Sequence, residues 1–129
     1  MAAVVKAIAA ISLVYDIAVG VTLSIFRQQF QDIFDVPATR PAIQGDLNAL
    51  FVTCVGIGYL LPFRDPLRYR AYMWIFGVLL KFGGAVAFTA DYVLRGSPPS
   101  FLLFAASDGL LAALTLAALL RSGGPRMQP

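Results

Sequence analysis

The stretch AYMWIFGVLLKFGGAVAFTA, residues 71–90, decides how the rest of the chain is read. Twenty helical residues at about 1.5 Å of rise each match a hydrocarbon core of roughly 30 Å. Yet an ammonium group, Lys81, stands near the middle of it. Insertion scales put a lysine at the centre of a span at roughly 2.5–3.5 kcal/mol, so its side chain is expected to turn into a helix bundle and meet carboxylates there. Gly77, Gly84 and Ala85 lie at helical offsets from Lys81, which puts the charge on a packing face of small residues.

Composition agrees with this reading. The chain has 129 residues, of which 59% are hydrophobic and 13% charged. Its mean hydropathy is +0.77, leaving too little polar surface to cover a water-soluble globule. The expected fold is an all-α integral membrane four-helix bundle forming one transmembrane domain over residues 1–129. Its spans are expected near 4–26, 42–63, 71–92 and 101–120. The net charge of +3 comes from arginines and lysines at the ends of spans rather than from a basic stripe interleaved with aromatics. The partner expected is therefore the lipid bilayer, and no nucleic acid. One cysteine and no histidine exclude an intramolecular disulfide, a CxxC pair, a bis-His haem and the usual zinc sets, so neither a metal nor another cofactor is expected. Cys54 itself is expected to be a small buried hydrophobe.

In the first span Ser12, Asp16 and Gly20 recur every four residues and form a small, polar ridge that should carry Asp16 inward. The run is longer than the apolar core of a signal peptide and carries an acid inside it, which favours a retained span. Between spans 1 and 2, Phe26, Phe30, Ile33 and Phe34 share one side of a helix whose other side has Arg27, Gln28, Gln31 and Asp32. That pattern predicts a short interfacial amphipathic helix, stopped by Pro37, that caps the bundle or packs on lipid. Span 2 follows Pro41 and continues the small face through Ala49, Thr53 and Gly56, with Tyr59 and Phe63 expected at the far interface. Ser100 is positioned to cap span 4, in which Ala105, Gly109, Ala113 and Ala117 stand at strict intervals of four beside Asp108.

Side chains on different helices meet only at a common depth. Counting rises of about 1.5 Å from the span ends brings Asp16, Lys81 and Asp108 to one level. Asp46 falls nearer the surface and Asn48 about one turn further in, as a polar access path. Two carboxylates and one ammonium do not balance. Such a cluster either fixes helix register or serves a ligand or proton pathway. With four spans, Lys6, Arg64, Arg68, Arg70, Arg121 and Arg126 share one side against Arg27, Arg40 and Arg95 on the other. This bias favours both termini in the cytoplasm.

Tyr15-Asp16, Gly58-Tyr59-Leu60-Leu61 running into Arg64-Asp65-Pro66, Lys81, and Ser107-Asp108-Gly109 resemble small bacterial four-helix membrane proteins of the broad DoxX-like kind. The resemblance implies a bacterial inner-membrane bundle, and some relatives accompany membrane oxidoreductases. It carries over no catalytic residue. The function expected is a non-enzymatic accessory or assembly subunit that packs on another membrane protein, or on itself, through small-residue faces. The alternative is a small proton-coupled transporter or lipophilic-ligand binder using Asp16, Lys81 and Asp108.

Overall fold

Helix is the only regular structure in the computed structural model, which describes residues 2–123. The elements are α1 (Ala2–Ile25), α2 (Arg27–Phe34), α3 (Ala42–Arg64), α4 (Arg70–Arg95) and α5 (Ser100–Gly123). All but α2 are long and apolar enough to cross a membrane, with mean hydropathies between 1.5 and 2.0.

Proline places the breaks. Pro37, Pro41, Pro66, Pro98 and Pro99 all fall between helices, and Pro62 falls inside α3. Lacking an N–H, Pro62 cannot donate to the Gly58 carbonyl, and α3 turns at Tyr59 before resuming as Leu60–Arg64. α2 ends at Phe34, three residues short of Pro37. Asp35 caps it in the left-handed conformation (φ 54°), its N–H donating to the Gln31 carbonyl, and Val36, the residue before Pro37, is disfavoured from continuing the helix. Gly96 (φ 68°) closes α4 in the same way, its N–H donating to the Asp91 carbonyl. Ser100 does not cap α5. Its hydroxyl has no hydrogen-bond partner, and the first amides, Phe101 and Leu102, donate instead to the carbonyls of Pro98 and Pro99.

Small residues set how the helices pair. On α1 and α3, a Cβ at Gly20 would overlap the Thr53 hydroxyl and lie 3.0 Å from its backbone nitrogen. One at Gly56 would lie 2.8 Å from Ile17 Cγ1. On α4 and α5, a Cβ at Gly77 would lie 2.8 Å from the Thr115 methyl and one at Gly84 2.9 Å from Asp108 Oδ2, while one at Gly109 would touch Ala85 at 3.6 Å. The alanine stripe of α5 divides. Four residues turn a helix by about 400°, so positions spaced by four drift about 40° at each step. Ala105 is buried, Ala113 and Ala117 are exposed, and the inward face passes to Ala112, Thr115 and Leu119.

Residues 73–79 of α4 form a π-helical segment that the sequence reading did not anticipate. It faces α5 at Gly77 and Thr115, and its Phe76 carbonyl accepts the Tyr59 hydroxyl at 2.9 Å. Tyr72, at its start, donates to the Val55 carbonyl at 2.5 Å and lies against Gly58, where a Cβ would lie 2.6 Å from its Cζ. Tyr59 is therefore a fully buried core residue and not the interface marker its position suggested. Cys54 is exposed, because the inward face of α3 runs through Ala49, Val55 and Gly56 and leaves it on the outer side.

The dry core lies in the half of the bundle that holds the start of α1 and the end of α5. It comprises Val5, Ile8 and Ala9, then Val55 and Tyr59, Met73, and Ala118 and Leu119. Arg70 ties this end together, donating to Ser122 Oγ at 3.0 Å and to the Leu119 carbonyl at 2.5 Å.

Close packing at Gly20 and open space at Gly83 make opposite predictions. Gly20→Val is expected to lower stability by about 1–3 kcal/mol through overpacking. Gly83→Ala meets no atom within 4 Å and should be neutral or gain up to about 1 kcal/mol from helix propensity. Denaturant titration of the purified protein in detergent, followed by circular dichroism, measures both.

Candidate functional site

Above this core the helices part around a cavity of about 680 Å³. Asp16 and Lys81 lie on its floor, the ammonium donating to Asp16 Oδ1 at 3.1 Å, with side-chain exposures of only 8% and 6%. The helical repeat accounts for the meeting. Ser12, Asp16 and Gly20 are all buried on one face of α1, and Lys81 is the buried residue of the regular turns of α4. The ring centroids of Tyr15 and Tyr59 lie 5.3 and 6.0 Å from the Lys81 nitrogen, within the range where a ring face attracts a cation.

Asp108 lines the same cavity but stands apart from the pair. It lies beside Gly84, one turn beyond Lys81, and makes neither a hydrogen bond nor an ion pair among the described residues. Beside it, Tyr15 and Ser107 share a hydrogen bond of 2.6 Å that joins α1 to α5. The depth argument thus brings Asp16, Lys81 and Asp108 to one chamber, and the structure bonds only the first two.

The expected polar path resolves differently. Asn48 lines the cavity, whereas Asp46 is not part of its lining and accepts a 2.6 Å ion pair from Arg27, which reaches across from the start of α2. Gly45 leaves room for that guanidinium, since a Cβ there would lie 3.3 Å from Arg27 Nη1. The pair is partly exposed, with only Arg27 of the two lining the cavity.

Aromatic rings form the upper wall, and the sequence reading missed most of them. Phe104 is the hub. Its centroid lies 5.8 Å from Phe30, 5.4 Å from Phe34, 5.5 Å from Phe88 and 6.0 Å from Phe101. Phe104 precedes Asp108 by four residues, and Phe88 follows Gly84 by four, so each ring stands one turn from a floor position on the same helix face. That spacing was the available signal. α2 supplies Phe30 and Phe34 to the cavity, while Phe26 and Ile33 remain exposed, so the apolar side expected of this helix is shared between the chamber and the exterior. Phe51 on α3 and Leu103 on α5 line the chamber and yet are largely exposed, which makes them rim residues.

Of the expected packing residues, Gly20, Gly56, Gly77, Gly84 and Gly109 lie where the helices approach one another, Ala105 is buried, and Ala113 and Ala117 are exposed. No family model matches this sequence, and no curated protein or solved structure does either.

The buried pair and the unpaired acid should respond differently to substitution. Lys81→Met strands the Asp16 carboxylate in an apolar surround and is expected to cost about 3–5 kcal/mol. Adding Asp16→Leu should recover most of that loss, because the penalty belongs to the stranded charge. Asp108→Asn removes no ion pair and should change stability by less than about 1 kcal/mol. A double-mutant cycle from denaturant titrations in detergent checks all three.

Proposed function

We propose that this chain is a small multi-pass membrane protein that binds a lipophilic molecule in the chamber between its helices. The observation that carries the reading is the chamber itself. About 680 Å³, walled by Phe30, Phe34, Phe51, Phe88, Phe101 and Phe104 and floored by a few polar groups, is the size and character of a small-molecule site. A purely structural ion pair explains the floor but not the empty space above it, because bundle interiors otherwise close-pack.

In this reading the exposed apolar side chains around the helices, such as Val14, Leu79, Val86 and Leu110, face lipid. α2 lies in the interface with Phe26 and Ile33 toward the bilayer. Ligand enters laterally past Phe51 and Leu80, both cavity-lining and exposed. The arginine bias supports a bacterial cytoplasmic membrane with both chain ends inside. Arg64, Arg68, Arg70 and Arg121 cluster where α3, α4 and α5 meet their core end, against Arg27, Arg40 and Arg95 at the other; Arg126 lies outside the described residues. The chamber then opens in the outer half of the membrane. The DoxX-like layout fits the same placement.

A second reading, an accessory subunit of a larger membrane assembly, is favoured by one observation. Ala113 and Ala117 stay exposed on α5, where small residues would let a neighbouring helix come close.

Purified protein in mild detergent is expected to bind N-phenyl-1-naphthylamine, a neutral fluorescent probe, saturably at one per chain. Val52→Trp, which fills the chamber, should abolish the binding, and Ile11→Trp on the exposed face of α1 should not. Fluorescence no higher than that of empty micelles, together with a membrane protein co-eluting in fixed ratio, would replace the binding reading with the subunit one.

A further inference from the structure

We infer that the ligand this chamber selects is a lipophilic organic cation, held with its charge at Asp108 and its apolar body among the phenylalanine rings. The inference rests on the chamber being a ligand site and adds the chemical class of its occupant.

Charge balance within the chamber decides the class of its occupant. Four charged side chains line the chamber: Arg27, Asp16, Lys81 and Asp108. Arg27 is engaged by Asp46 at 2.6 Å, and Lys81 by Asp16 at 3.1 Å. Each cation is thus neutralised by a carboxylate of the chain itself. Asp108 alone has neither an ion-pair nor a hydrogen-bond partner among the described residues. With both pairs counted as neutral, the chamber carries a single uncompensated acidic group, and a carboxyl among apolar walls ionises at least cost when a cation comes to rest beside it, which favours a cation over an anion or a neutral molecule.

Ring placement selects the kind of cation. Phe104 stands one helical turn from Asp108, with Phe88 and Phe101 both 5.5–6.0 Å from it. Phenylalanine faces attract a weakly hydrated positive charge and offer no hydrogen bond. A small, strongly hydrated ion would have to shed its water into a mostly apolar chamber, where Gln31, Thr39 and Asn48 add a few neutral polar groups and the neighbours of Asp108 are the hydrogen-bonded Tyr15–Ser107 pair and phenylalanine rings. A bulky organic ammonium or phosphonium, whose charge is already spread beneath apolar groups, loses little on entering. It also matches a volume of about 680 Å³, far beyond the needs of a metal ion.

Equilibrium dialysis of the full chain in a non-ionic detergent, corrected against empty micelles, tests this with three probes of similar size: tetraphenylphosphonium, tetraphenylborate and triphenylmethanol. The expected result is saturable binding of tetraphenylphosphonium at one per chain, at least tenfold tighter than tetraphenylborate, and abolished by Val52→Trp. Asp108→Asn should weaken the cation at least tenfold while leaving triphenylmethanol unchanged. Equal binding of all three probes, or tighter binding of the borate at Lys81 or Arg27, would overturn the cationic assignment and leave the chamber as a ligand site. Saturable binding of none would overturn both. The comparison of probes on the unsubstituted chain decides the matter even if Asp108→Asn fails to fold.

Discussion

The ion pair between Lys81 and Asp16 is the constraint on which the arrangement depends. Two charges less than a tenth exposed are tolerated only while they hold each other, since removing either leaves the full desolvation cost of its partner. The pair joins α1, the first helix, to α4, residues that are 65 positions apart. A shift of either helix by one residue would move one charge about 1.5 Å along the axis and turn it by about 100°, taking it off the packing face. The pair therefore specifies register even if its net contribution to stability is small.

Around that fixed point the two ends of the bundle diverge for a reason visible in the residue types. Toward the chain termini the interfaces are built from alanines, glycines and medium-sized aliphatics, with Tyr59 and Tyr72 each satisfying its hydroxyl on a neighbouring backbone carbonyl. Backbones approach closely there and the interior is dry. At the other end, Phe30, Phe34, Phe88, Phe101 and Phe104 meet ring to ring at 4.8–6.0 Å and so brace the helices apart. Rings in such contacts form a wall rather than a filling. The Asp16–Lys81 pair lies at the boundary, above the dry core and beneath the rings.

Much of this was legible before any coordinates. Four apolar runs of spanning length, and the intervals of four that carry Ser12, Asp16 and Gly20, translate directly into helices and a buried face, because helical periodicity is a local property. Depth counting also brought Asp16, Lys81 and Asp108 into one chamber. What it could not give was the pairing among them, since that depends on helix rotation and on Gly84 admitting Asp108 to one side. The stripe at Ala105, Gly109, Ala113 and Ala117 divides between the bundle interior and the exterior for a related reason. A strict interval of four suits a short contact but drifts off the face over three steps. Tyr59 was read as an interface aromatic because its position near a span end was visible and its buried acceptor, the Phe76 carbonyl in a π-helical segment, was not. The chamber was least legible of all. Unfilled volume is set by what side chains on separate helices fail to reach, and no local pattern records it.

The different strengths of the contacts also rank the parts of the molecule by how readily they move. α2 has no buried residue, and beyond its junction with α1, where Arg27 Nε donates to the Leu23 carbonyl at 2.9 Å, the bundle holds it through a partly exposed Arg27–Asp46 pair and the rings of Phe30 and Phe34 against Phe104. A surface ion pair contributes about 0–1 kcal/mol and an aromatic pair about 0.5–1.5 kcal/mol beyond its area burial. Breaking the Lys81–Asp16 pair costs several times that, and separating α1 from α3 exposes the Gly20–Thr53 and Gly56–Ile17 contacts as well. α2 is therefore the element that separates from the bundle at least cost, and its separation disturbs nothing below the floor. The weakly held part of the molecule thus lies above the floor and the firmly held part below it, so that motion of α2 leaves the buried charge pair intact.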